Sequence, residues 1–278
     1  MTAIPALFFL PVNENDLPEI EKLQPEHWGS IMPAIKWYMT LDFCYLIKAV
    51  YENEIVGCGA VLVNGNSAWL ANIIVAKGHR NKGYGYAITE HILDYAKHQT
   101  GSVILIATKL GRPVYLKFGF NDDEEYLFFK AGKIERLSSQ RQEPPSPYII
   151  PYHPSYKDAI LALDEDTFGE QRTQLLESRL AEALVYVQDD IFKGFTIPTL
   201  GEGLTLAYTP EAGLALMAVR FTEAKKACIP KANSVAVDYL LQHGFEVDDS
   251  LYAIKMNLGK VLPWKPQQQF GRVGGNMG

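Results

Sequence analysis

The segment NIIVAKGHRNKGYGYAITEHIL, from Asn72 to Leu93, brings together residues that can hold an anion. An apolar strand-like run ends at Val75, and a short polar loop follows. Arg80-Asn81-Lys82-Gly83-Tyr84-Gly85 then opens a helical pattern through Ile88 and Ile92. The first N–H groups of a helix have no internal acceptor and point beyond its N-terminus, where the helix dipole also favours negative charge. Glycine at 83 and 85 lets a pyrophosphate approach the backbone closely, and Arg80 and Lys82 add compensating charge. A second chemical group is the phenol of Tyr115, within Arg112-Pro-Val-Tyr115-Leu-Lys117-Phe-Gly119-Phe120.

The elements that must position these groups are legible from hydrophobic period and turn residues. Ala6 to Val12 predicts a strand. Asn13-Glu14-Asn15-Asp16 then starts a helix through Leu17, Ile20 and Leu23, and a second helical pattern covers about Ser30 to Leu41. Phe43–Tyr51, Ile55–Val63 and Trp69–Val75 follow as antiparallel strands, with hairpin signals at Asn53-Glu54 and Asn64-Gly65-Asn66. After the loop comes the helix, ending near Gly101. Val103–Ala107 predicts a buried strand, Arg112–Lys117 a short helix and Tyr126–Lys130 a last strand. The order is β-α-α-β-β-β-α-β-α-β. Antiparallel hairpins before the loop exclude a Rossmann site, and the lack of Gly-Lys-Ser/Thr after it excludes a kinase-type P-loop.

Arg-x-x-Gly-x-Gly between a strand and a helix, followed by Tyr-x-Lys-x-Gly-Phe, resembles the acetyl-CoA motifs of the GNAT N-acetyltransferase superfamily, whose element order is the same. The resemblance covers residues 1 to about 132. It implies that the backbone of Ile73, Ile74 and Val75 bonds the pantetheine arm of acetyl-CoA and that the amides of Arg80, Asn81, Lys82, Gly83, Tyr84 and Gly85 hold the pyrophosphate. Tyr115 matches the general acid that protonates the departing thiolate. Thr108 stands where many members have a cofactor-touching Asn. Trp69 and Ala71 fill the positions from which family bases often project, and neither accepts a proton. His79, Asp42 and Glu26 are weaker candidates for the base. Trp28, Trp37 and Tyr38 lie on the helical segments that form the acceptor wall in relatives, as a cation cage or as core.

The second half restarts the first. VYLKFGFNDDEEYLFFKAGK has a counterpart in YLLQHGFEVDDSLYAIKMNLGK, each with a helix end, Gly-Phe, an acidic turn and a strand closing in Gly-Lys. Tyr148–Tyr152, Leu184–Gln188, Gly194–Ile197 and Leu204–Tyr208 predict strands, and Leu161–Leu163 and Leu175–Ala183 predict helix. In this copy Leu240 stands opposite Tyr115, and Tyr208-Thr-Pro-Glu-Ala-Gly213 replaces the phosphate loop with one glycine and a Glu that would repel pyrophosphate. The glycine-rich tail Phe270–Gly278 is expected to pack on the domain surface.

The expected fold class is therefore α/β (α+β), with two GNAT-like domains, each a mixed, mainly antiparallel sheet flanked by helices. Residues 1–135 form the catalytic domain, 136–147 (RLSSQRQEPPSP) a Pro-rich linker, and 148–278 a degenerate domain with a C-terminal tail. A net charge of -6 argues against nucleic acid as a partner. No apolar run is long enough for a membrane span. Cys44, Cys58 and Cys228 lack metal-ligand spacing, so no metal is expected, and they suit a reducing cytoplasm. The expected activity is acetyl-CoA-dependent transfer of an acetyl group to a primary amine of a small molecule or amino-acid-like acceptor. A homo-oligomer is compatible with it. The alternative is an acyl-CoA-binding regulatory or structural protein without turnover.

Overall fold

A computed structural model describes residues 7–26, 28–132, 146–221 and 226–278. All but the last two residues of the expected linker lie outside these. The chain divides into two compact units, and neither is one continuous stretch of sequence. The first comprises Met1–Asn121 together with Asn257–Lys260, and the second Asp122–Met256 together with Val261–Gly278.

The first unit runs β1 (Phe8–Pro11), α1 (Leu17–Glu21), α2 (Met32–Tyr38), β2 (Cys44–Tyr51), β3 (Glu54–Asn64), β4 (Ser67–Val75), α3 (Tyr84–Gln99), β5 (Ser102–Ala107) and α4 (Arg112–Lys117). Its strands lie in the order β1-β2-β3-β4-β5, antiparallel up to β4, with β4 parallel to β5. Glu52 and Asn53 both have positive φ, the turn whose twist suits a two-residue hairpin between β2 and β3. Helix α3 packs closely on β3 because Gly57 and Gly59 carry no side chains. A Cβ at Gly57 would lie 2.6 Å from Ile88 Cδ1, and one at Gly59 2.9 Å from Ile88 Cγ2. Ile88 and Ile92 are thus buried against the sheet, which fixes where α3 begins. Residues 257–260 complete this unit, with Lys260 N–H donating to Gly101 O at 2.8 Å.

The second unit contains β6 (Asn121–Ala131, all but its first residue), β7 (Ile149–Pro151), α5 (Lys157–Phe168), α6 (Thr173–Glu177), β8 (Leu184–Gln188), β9 (Ile191–Ile197), β10 (Leu204–Ala207), α7 (Pro210–Phe221), β11 (Lys226–Pro230), α8 (Ser234–Gln242), β12 (Phe245–Val247), most of β13 (Ala253–Gly259) and β14 (Gln269–Gly271). Strands β14-β10-β9-β8-β7 form one sheet, while β11 and β12 both pair antiparallel with β6. Asp189 and Asp190 repeat the positive-φ hairpin of Glu52 and Asn53. The helical pattern over Leu175–Ala183 resolves into the short α6 and a single 3-10 turn, Leu180–Glu182.

The expectation for the tail is overturned. Residues 269–273 are buried rather than laid on the surface, with Phe270 1% exposed and in one apolar cluster with Ala212, Leu216, Ile229 and Leu240. Gly271 lets the backbone pass close to Gly203, where a Cβ would overlap Gly203 O, and composition alone does not distinguish such a segment from a loose tail.

Candidate active site

In the first unit, β4 and β5 are paired at Ala68↔Val103 and Trp69↔Ile104. Beyond those pairs, no pairing joins Leu70–Val75 to Leu105–Ala107 among the described residues, which leaves an unpaired stretch, a wedge, between the facing edges of β4 and β5. On its other side β4 carries a bulge. Ala71 pairs with Ala60 and Ile74 with Cys58, so Asn72 and Ile73 face a single residue, Gly59. Asn72 has φ +46, a left-handed conformation that Asn tolerates better than most residues. The Tyr38 hydroxyl donates to Asn72 Oδ1 at 2.8 Å and fixes the bulge. Ile73, Ile74 and Val75 form the bulged end of β4, beyond its pairing with β5.

The loop then delivers the chain to α3. Asn81 (φ +62) and Gly83 (φ +86) are both left-handed, and Gly83 is the N-cap of α3 with no side chain capping the helix. The first intrahelical acceptor, Gly83 O, serves Ala87, which leaves the amides of Tyr84, Gly85 and Tyr86 without helical partners. A Cβ at Gly85 would meet only Val75 Cγ2, at an ordinary 3.6 Å. The protein itself therefore does not require glycine there, although glycine in a helix costs roughly 1 kcal/mol relative to alanine. The open face suits a ligand that approaches the backbone. Arg80 is exposed and its Nε donates to Val75 O at 3.2 Å, while Asn81 and Lys82 are exposed. Tyr84 turns its side chain inward, buried between His79 and Tyr51, so only its backbone faces the loop.

Tyr115 lies in α4, 9% exposed, packed edge-on against Phe120 at 6.0 Å. A Cβ at Gly111 would be 2.9 Å from the Tyr115 ring, so this glycine makes the space the phenol occupies. Burial pushes the Tyr115 pKa well above the ordinary 10.0, and its hydroxyl has no hydrogen-bond partner among the described residues. The group is a neutral phenol with its proton available. Tyr86, in the first turn of α3, stacks on Phe118 at the end of α4 at 4.4 Å, tying the uncapped helix start to the helix of Tyr115. Sequence reasoning passed over Tyr86, whose aromatic spacing to Phe118 spans 32 residues.

Thr108 follows β5 directly. Its side-chain oxygen accepts from Gly111 N–H at 3.2 Å, so it shapes the approach to α4. Trp69 and Ala71 are core residues, 0% and 2% exposed, and cannot serve as bases. Glu26 binds exposed Lys77 at 2.6 Å, Asp42 is exposed in the turn before β2, and His79 stacks on Tyr84. Of the aromatic trio, Tyr38 is core and holds Asn72, Trp37 is half-buried, and Trp28 is exposed. Burial pushes the thiols of Cys44, Cys58 and Cys228 up to about 12, so none is a ready nucleophile. Among the described residues no group of His, Cys, Asp and Glu could hold a metal ion, and no helix is long and apolar enough to cross a membrane.

The second unit treats the corresponding places differently. Leu240 is fully buried in α8, and only Tyr208 and Thr209 separate β10 from α7. Pro210 offers no N–H, and Thr209 Oγ1 accepts from Ala212 N–H at 3.4 Å.

Residues 14–120 match the model of the acetyltransferase (GNAT) family. No curated protein sequence matches the chain. Solved structures with similar folds include a Pyrococcus horikoshii protein proposed to be an acetyltransferase, at 18% identity and TM-score 0.79, over 98% of this chain and 96% of that one. A GCN5-related N-acetyltransferase from Sphaerobacter thermophilus shares 14% identity at TM-score 0.64, over 93% and 97%. A tandem GNAT protein from the clavulanic acid biosynthesis pathway shares 14% identity at TM-score 0.58, over 91% and 98%. The family match at residues 14–120 lies within the first unit, and nearly the whole chain shares its fold with solved structures that include a tandem GNAT protein.

Proposed function

We propose that the chain transfers the acetyl group of acetyl-CoA to a primary amine of a small molecule or amino-acid-like acceptor, with its site in the first unit and in the cytoplasm. The observation that carries this reading is the uncapped start of α3 after left-handed Gly83, with an open backbone at Gly85, at the end of a bulged strand that parts from β5. The amides of Arg80 to Gly85 would hold the pyrophosphate, and the strand edge at Ile73, Ile74 and Val75 the pantetheine arm. Thr108 lines the same end of β5. Acetyl-CoA supplies the acetyl thioester, and Tyr115 holds a proton for the departing sulfur. No metal takes part in this proposal.

Gly85→Ala separates fold from ligand. It should leave the fold intact or raise the melting temperature slightly, because the added methyl meets no obstacle in the protein and favours helix. It should also weaken acetyl-CoA binding roughly tenfold or more, measured by calorimetry. Unchanged affinity would remove the pyrophosphate from this loop. The buried, apolar Trp69 and Ala71 favour one other reading, an acyl-CoA-binding protein without turnover. A panel of small amines with acetyl-CoA decides between them: acceptor-dependent CoA release supports the enzyme, and saturable binding without release supports the binding protein.

A further inference from the structure

The wedge that stays open in the first unit is filled in the second. Strand β10 leads into α7 as β4 leads into α3, and β11 follows α7 as β5 follows α3. Where β4 meets an open wedge, β10 is paired antiparallel with β14, through Thr205↔Gly271 and Leu206↔Gln269. On the other side of β14, Asn233, three residues past β11, donates through Nδ2 to Gln269 O at 2.9 Å. The Tyr126 hydroxyl donates to Gln269 Oε1 at 3.3 Å.

The side chains of this segment are received as specifically as its backbone. The ring of Phe270 lies on Gly213, where a Cβ would overlap Phe270 Cε2. A Cβ at Gly85, in the first turn of α3, would meet only Val75 Cγ2 in ordinary contact at 3.6 Å, whereas Gly213, in the first turn of α7, faces a ring supplied by the chain itself. Arg272 forms a fork with Glu202, Nε to Oε2 at 2.9 Å and Nη2 to Oε1 at 2.8 Å. Glu202 N–H donates to Val273 O at 2.8 Å. Arg172, fully buried and paired with Asp164, donates through Nη1 to Met277 O at 2.5 Å.

We propose that the second unit is a strand-binding cleft whose resident ligand is residues 269–278 of this chain. It receives an extended peptide of the pattern Phe-Gly-Arg by strand addition, with an aromatic seat at Gly213 and an acidic seat at Glu202. The seated segment closes the wedge of this unit to acyl-CoA. That last clause rests on the proposed function, which makes the first unit's wedge an acetyl-CoA site; the seating of the segment does not.

Three measurements on the full chain test the two parts separately. In amide hydrogen exchange, residues 269–273 should be protected as well as β8 and β9, by a factor of roughly 100 or more over free peptide. Free-peptide exchange rates at 269–273 would overturn the seating. Gly213→Ala should lower the melting temperature by roughly 5 °C, since its methyl must displace Phe270. In a Phe270→Ala background the same change should cost nothing or stabilise the helix, and an equal loss in both backgrounds would also overturn the seating. Titration with acetyl-CoA should saturate at one molecule per chain. Two molecules would refute the closure of the second wedge, and none, with the segment still protected, would refute the acetyl-CoA site of the first unit while leaving the strand cleft standing.

Discussion

Tyr115 and Gly85 show what burial does to single residues in a site. The phenol is almost enclosed, and because burial disfavours its charged form, it keeps its proton to a higher pH than an ordinary tyrosine. If it is the general acid, Tyr115→Phe should lower kcat by about 10²-fold with little change in acetyl-CoA affinity. The sign of the pH dependence follows from the raised pKa: the acid form persists through neutrality, so kcat should show no loss attributable to this group below about pH 10. A Tyr115-dependent fall with a midpoint near neutrality would exclude it as the proton donor. Both residues were legible in the sequence because their motifs are local, a few residues between a strand and a helix. The role of Tyr38 was not. Its partner Asn72 is 34 residues away, and an aromatic residue at helical spacing reads equally well as core or as cage.

At the scale of elements, the site depends on a strand that departs from regular pairing. The bulge at Asn72 and Ile73 turns the end of β4, and the hydroxyl of Tyr38 holds the side chain of its left-handed residue. Tyr38→Phe removes about 1 kcal/mol of hydrogen bonding and keeps the ring. It should raise the KM for acetyl-CoA about fivefold and leave kcat nearly unchanged, because the backbone of Ile73 is loosened while Tyr115 is untouched. Equal effects on both constants would mean that the bond supports the unit in general. The order of elements through α4 was predictable, since each strand and helix there has its own period and turn residues. Helix α7 and strand β11 were not: α7 is apolar on most sides, and residues 214–219 carry no polar stripe to show a helical period.

For the molecule as a whole, the repeat in the sequence was visible but the way its pieces are shared was not. The boundary drawn at residue 135 follows composition, whereas the compact units change over at Asn121 and again around Asn257–Lys260. Composition finds exposed, polar connections; it holds no record of which strand pairs with which. A chain cut after residue 135 should therefore show a clearly lower melting temperature than the full chain, or aggregate, because it lacks the residues that pair with Gly101 and leaves a strand edge open. Circular dichroism and sedimentation would measure this, and a monomer with unchanged stability would show that residues 257–260 are dispensable. The same sharing sets a timetable for synthesis. After Asn121 leaves the ribosome, Asn257–Lys260 arrive only on the order of ten seconds later at ordinary translation speeds. For that interval the nascent first unit must wait with its β5 side uncovered, so the step most exposed to chaperones and to misassembly falls late in translation, when most of the chain has already been made.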